Sequence, residues 1–211
     1  IDFLGSLMQS GIDAGADWIC WADTVGHASP EKAYSAVSRL SKIGPTSTHT
    51  HDDLGLAVSN VLASIAGGAL MVHATVNGIG ERSGNVALEE VAIALHHCYG
   101  IDTVRLDGLY NLAQLVSQAT GVSLPPNKAV IGENAFTHES GIHTDGILKD
   151  DRMYEPYPPE LVGRGRRFAV GKHIGRAGAR AALEEHGITA SDDQISTIVN
   201  RVKILAERNK R

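Results

Sequence analysis

His49 and His51 stand two residues apart in the run Thr48-His49-Thr50-His51-Asp52-Asp53-Leu54-Gly55. On a strand, residues i and i+2 share a face, so both imidazoles could grip one metal ion. Taken alone the pair is a weak signal, because histidine pairs on strands are commonly structural. A second motif, Asn77-Gly78-Ile79-Gly80-Glu81-Arg82-Ser83-Gly84-Asn85, follows a strand-like run over 71–76. Its three glycines permit tight turns and close backbone approach. Glu81, Arg82 and Asn85 would then stand on a loop at the carboxyl end of a strand. The plainer reading is a polar turn in which Asn85 caps the next helix and Glu81 pairs with Arg82 on the surface.

The elements that must hold these residues alternate. Runs at 17–23, 46–51 and 71–76 read as strands, and helical patterns at 2–14, 31–43, 54–69 and 86–99 flank them. Ser29-Pro30-Glu31 is a helix start, with serine as N-cap and proline in the first position. Asp52 reads most simply as an N-cap, with a supporting role beside a metal ligand as the alternative. Strand–helix repetition of this kind predicts a parallel sheet covered by helices. Beyond it, 106–120 reads as an amphipathic helix and Pro125-Pro126 as a break. The segment 136–149 carries a histidine motif, and 154–159, rich in proline, reads as extended. Two final helices span 176–186 and 191–208, the latter with Ile195, Ile198, Val199, Val202 and Leu205 at helical spacing. Lys210-Arg211 reads as a solvated tail.

Composition is that of a globular chain: 43% apolar, 20% charged and a formal charge of −5. No basic run points to nucleic acid and no apolar run reaches the length of a membrane span. Cys20 and Cys98 lack zinc-type or disulfide spacing and read as buried thiols of a reducing, cytoplasmic compartment.

Two further motifs complete a pattern. They are Asn134-Ala135-Phe136-Thr137-His138-Glu139-Ser140-Gly141-Ile142-His143-Thr144-Asp145-Gly146, and Tyr154-Glu155-Pro156 with Pro159-Glu160-Leu161-Val162-Gly163 and Gly171-Lys172-His173 after it. In order and spacing, over nearly the whole chain, these motifs resemble the acetyl-CoA-dependent 2-oxo-acid synthases: the 2-isopropylmalate, homocitrate and (R)-citramalate synthases. The resemblance implies an α/β fold, the C-terminal part of a TIM (β/α)8 barrel with strands six to eight, followed by mostly helical subdomains. Residues 1–103 would be the barrel part, 104–130 a connecting helix and linker, 131–175 a subdomain contributing to the active site, and 176–211 a helical end.

The same resemblance implies a divalent ion (Zn²⁺, Mn²⁺, Mg²⁺ or Co²⁺) on His49, His51 and Asn85, with acetyl-CoA as co-substrate. Thr24 would bind the carboxylate of the 2-oxo acid, and Glu81 would serve the acid/base and water network. His143 and Tyr154 would reach into the site of a second subunit, making the protein a homodimer. His138, Asp145 and His173 read at least as well as buried hydrogen-bonding groups. The family's amino-terminal signature, which would bring an aspartate ligand and an arginine near the substrate carbonyl, is not in these residues, so the isolated chain is expected to be inactive. For the substrate, isopropylmalate and homocitrate synthesis stand level. Two other readings exist. One is an acyl-CoA lyase of the same superfamily, disfavoured because Gly78–Asn85 holds no cysteine. The other is a non-catalytic folding or dimerisation fragment.

Overall fold

The computed structural model describes residues 2–209 and resolves into two compact units, 2–123 and 124–209. Lys210-Arg211 lies outside the described residues.

In the first unit, helix α1 (Asp2–Asp13) leads into strand β1 (Ile19–Asp23). Ser29 then accepts a hydrogen bond from the Lys32 amide, and Pro30 opens helix α2 (Pro30–Leu40), whose Ala33, Ala36, Val37 and Leu40 are buried. Strand β2 (Thr46–Thr50) follows. Helix α3 (Ala57–Ala66) is shorter than the 54–69 pattern suggested, because Gly55 at φ 70° turns the chain first. Asp52 starts that helix from five residues upstream, accepting from the Ala57 amide at 2.9 Å. Strand β3 (Met71–His73) also stops early: Val76–Gly78 is a single 3-10 turn, with Asn77 in the left-handed region at φ 63°. Helix α4 (Leu88–Tyr99) begins without a side-chain cap, so Asn85 does not cap it. After a short turn at Leu106–Gly108, helix α5 (Leu109–Thr120) closes the unit.

The three strands form one parallel sheet in the order β1-β2-β3, with Ala22 opposite His49 and His49 opposite His73. Alternation along β2 divides its side chains. Thr46, Thr48 and Thr50 are fully buried; Thr48 donates to the Ser64 hydroxyl and Thr50 to the Ala57 carbonyl, both on α3. By the strand's period of two, Ser47, His49 and His51 occupy the other face. A core of Ala57, Val61, Val86, Val91 and Leu95 backs the sheet.

The second unit holds a feature the periodicity did not reveal. Two two-residue strands, β4 (Thr137–His138) and β5 (Arg167–Phe168), pair in parallel. Between them lies helix α6 (Gly141–Lys149), so the 136–149 segment is helical only from Gly141. The 154–159 stretch is not simply extended: 3-10 turns at Asp151–Met153 and Pro159–Val162 flank it, the second opened by Pro159. Helices α7 (Arg176–Glu185) and α8 (Asp192–Asn209) pack around Ile174, Ala179, Ile195 and Val199. Leu205 does not join that core and is 54% exposed.

Cys20 is half-buried, but Cys98 is exposed, in the last turn of α4 beyond the buried Val91, Ala92 and Leu95. No helix among the described residues is long and apolar enough to cross a membrane.

Candidate active site

The loops after β1, β2 and β3 meet at one end of the parallel sheet. His51 lies just past β2. Its amide donates to the Asp23 carbonyl at the end of β1, and it forms an isolated antiparallel bridge with Asn85. The glycine loop is folded onto this point. The Asn85 amide donates to the Gly78 carbonyl, the Asp52 amide to the Gly84 carbonyl, and the Val86 amide to the Thr50 carbonyl. Gly84, at φ 93°, can sit there only without a side chain, since a Cβ would overlap the Gly78 carbonyl. Glu89 braces the loop from α4, accepting from the Asn77 amide at 3.1 Å. Asn85 therefore serves as a bridge partner rather than a helix cap.

His49 and His51 converge, their Nε2 atoms 3.3 Å apart and their rings edge to face. Two nitrogens held at ~2.0–2.1 Å from one tetrahedral ion stand about 3.3 Å apart, so this spacing suits a shared cation. Burial first, and then the neighbouring His51 and His73, hold the His49 pKa below its ordinary value, favouring the neutral ring that binds metals. His73, at the end of β3, has its ring centroid 5.8 Å from that of His49.

The Asn85 amide group is committed on one side only. Its Nδ2 donates to the Ile79 carbonyl at 3.1 Å, while its Oδ1 is buried with no hydrogen-bond partner. A buried acceptor left unpaired costs roughly 1–3 kcal/mol, and a cation would relieve that cost. His51 Nδ1 is likewise buried and without a hydrogen-bond partner. Among the described residues no three His, Cys, Asp or Glu side chains converge as a metal cluster. Two imidazoles and an amide oxygen would together suit a divalent ion of intermediate softness.

Thr24 is exposed in the turn after β1, and Glu81 is exposed on the glycine loop. Glu81 does not hold the guanidinium of Arg82 in a salt bridge. Arg82 instead pairs with Asp53 through Nε–Oδ1 at 2.8 Å and Nη2–Oδ2 at 2.9 Å, and Nη2 also donates to the Thr24 carbonyl at 2.6 Å. Residue types and spacing gave no sign of this three-loop contact. Asp23, likewise missed, accepts from the His27 and Ala28 amides and fixes the turn that carries Thr24.

In the second unit, His143 and Tyr154 stack with ring centroids 4.3 Å apart. Gly146 leaves room for this, since a Cβ there would overlap the Tyr154 ring. His138 is buried and bonded to Glu155, Nε2 to Oε1 at 3.0 Å, and Arg166 grips the same carboxylate through Nε and Nη2. Burial raises the Glu155 pKa, but the bonds from Arg166 and His138, with their charges, outweigh it and hold the group below its usual value. Asp145 is exposed and paired with Lys149, and His173 is exposed with its amide bonded to Glu139; neither is a buried hydrogen-bonding side chain.

Comparison with known proteins follows the same division. The HMGL-like family model matches residues 1–116, and the homocitrate synthase post-HMGL domain-like model matches residues 130–210. A provisionally named (R)-citramalate synthase CimA of Methanothermobacter thermautotrophicus is 51% identical over all of this chain and 43% of its own length. The (R)-citramalate synthase CimA of Methanocaldococcus jannaschii is 43% identical, again over all of this chain and 43% of its own. The chain thus spans less than half the length of these curated relatives. Among solved structures, an HMG-CoA lyase from Acinetobacter baumannii in complex with coenzyme A and 3-methylmalate superposes with a TM-score of 0.54 at 27% identity, over 58% of this chain and 43% of that one. The α/β fold is that of the HMGL-like barrel superfamily, and the chain belongs to the HMGL-like family, among its acetyl-CoA-dependent 2-oxo-acid synthases.

Proposed function

We propose that the protein from which this chain comes is an (R)-citramalate synthase, condensing acetyl-CoA with pyruvate and releasing coenzyme A. The 3.3 Å convergence of His49 and His51, beside the buried and unpaired Asn85 Oδ1, carries the reading. Citramalate replaces the even split between isopropylmalate and homocitrate, because relatives alike over the whole chain bear that name. In this reading β1, β2 and β3 are barrel strands six to eight, completed by sequence beyond the chain. The boundaries at residues 103, 130 and 175 then separate barrel, connector, site-completing subdomain and helical end.

His49, His51 and Asn85 would hold the divalent ion. When bound, it supplies Lewis acidity to the ketone of the 2-oxo acid. The chain's own groups do the rest. The Thr24 hydroxyl donates to the substrate carboxylate and fixes which carbonyl face is presented. A proton leaves the acetyl methyl group, whose carbon bonds to the keto carbon, and the ketone oxygen becomes a hydroxyl. Water then cleaves the thioester, giving a carboxylate and coenzyme A thiol. His143 serves the methyl proton transfer, since an imidazole ring can both accept and donate a proton. Tyr154, held against it, donates to the thioester oxygen or orients the hydrolytic water. Glu81 takes up and returns protons on the glycine loop. His143 and Tyr154 act in the partner's site of a cytoplasmic homodimer.

The test is thiol release by the full-length enzyme from acetyl-CoA with pyruvate, 2-oxoisovalerate or 2-oxoglutarate. Fastest release with pyruvate is expected, and preference for either other acid overturns the substrate assignment. Cleavage of citramalyl-CoA without condensation would favour the lyase reading. Co-expressed His49→Ala and His143→Ala subunits should regain activity as heterodimers; no recovery would place the site within one chain. These 211 residues alone, with a partial ligand set, should release no thiol.

A further inference from the structure

Arg82 stands in a glycine loop but is not a glycine, although its φ of 56° lies in the left-handed region that bulky residues avoid. The chain accepts that conformation at a position where glycine would fit without strain, which points to a need for the side chain. The guanidinium is exposed, so the ion pair it makes adds little to folding stability. Its geometry is specific nonetheless. One planar fork takes both oxygens of Asp53, in the loop after β2, and the backbone carbonyl of Thr24, in the loop after β1. Arg82 itself belongs to the loop after β3. Gly26 lets the first two loops close together, because a Cβ there would run into the Asp53 backbone amide and carboxylate. A lysine, with one point charge, cannot reproduce a three-pronged contact.

From this geometry we propose that Arg82 is a positioning residue. It ties the three loops so that the Thr24 hydroxyl stands at a fixed place relative to His49 and His51, and so sets recognition of the 2-oxo acid carboxylate. The proposal rests on the synthase reading above. It predicts a selective defect: the 2-oxo acid is held worse while acetyl-CoA, the metal and the fold are left nearly as they were.

The experiment uses the full-length enzyme with Arg82→Ala, Arg82→Lys, Asp53→Asn and the double variant Arg82→Ala/Asp53→Asn. Steady-state KM for pyruvate and for acetyl-CoA, pyruvate binding by calorimetry, Mn²⁺ binding by equilibrium dialysis without substrate, and the thermal midpoint are measured on each. Arg82→Ala should raise the KM and Kd for pyruvate about tenfold or more, as a misplaced binding group does. Acetyl-CoA KM, Mn²⁺ affinity and midpoint should stay close to wild type. Asp53→Asn should give a smaller shift of the same kind, the double variant no more than Arg82→Ala, and Arg82→Lys little rescue. Unchanged pyruvate binding in Arg82→Ala overturns the proposal, as does a parallel rise in both KM values together with a fall in metal affinity and midpoint. A wild-type enzyme that neither binds pyruvate nor releases thiol overturns the synthase reading, and this proposal with it.

Discussion

The two units hold their candidate groups by opposite means. In the first, His49 sits on a regular parallel strand with His51 just past its end. Behind the sheet lies a core of small and branched apolar side chains, and the charged contact among the loops is left at the surface. In the second, His143 stands on the short helix α6, while Tyr154 only follows a 3-10 turn. The local sheet is two residues deep, and the chain after Tyr154 is anchored by a buried carboxylate between a histidine and an arginine. A strand end fixes direction through the backbone, so an exposed ion pair need only adjust it. Where the backbone runs through short turns, a buried polar cluster must do the fixing, and losing one member leaves another uncompensated.

The largest effects should fall on the strand-borne pair. His49→Ala or His51→Ala in the full-length enzyme should lower turnover roughly 10³-fold or more and abolish bound metal, as loss of a direct ligand does. Asn85→Ala should weaken metal binding with less damage. Metal content by emission spectroscopy and thiol release decide the matter, and two active, metal-replete histidine variants would end the metal assignment.

Stability contrasts the units next. Leu40→Ala, at a fully buried site on α2, should cost about 3 kcal/mol in the first unit. Glu155→Gln should cost about 3 kcal/mol in the second, through an unbalanced Arg166 and His138. Hydrogen exchange resolved by peptide should show each loss confined to its own unit; a Glu155→Gln variant with undisturbed protection would remove the anchoring role.

Acid should separate them further. The Glu155 carboxyl is held below its ordinary value of 4.5, so the stability it lends is fully present above that pH and is lost as pH falls through the lower, folded value. Asp53 is also held low, chiefly by its hydrogen bond from Arg82, but the pair lies at the surface with Arg82 exposed, so it contributes little. Below about pH 4.5 the second unit should therefore loosen first, and Glu155→Gln should flatten that acid limb. The smallest expected effect is Ser29→Ala, about 0.5–1 kcal/mol by urea unfolding, because its capping bond to the Lys32 amide is long at 3.5 Å.

Sequence alone determined the strand–helix alternation, the helix start at Ser29-Pro30 and the shared face of His49 and His51. Each is a local pattern, set by the strand period of two or by residues within one turn of a helix. The four motifs also carried the family, since their order needs no three-dimensional knowledge. Tertiary structure decided the rest. That Arg82 would choose Asp53, 29 positions away, and the Thr24 carbonyl, 58 away, over the adjacent Glu81 depends on which loops the sheet brings together. That Asn85 bridges His51 instead of capping α4 depends on the fold of the glycine loop over β2. Strands of two residues, such as Thr137–His138 and Arg167–Phe168, are too short to show any period, and only their pairing defines them. Cys98 followed the same rule, since its exposure depends on what packs over the end of α4, which no neighbouring residue records.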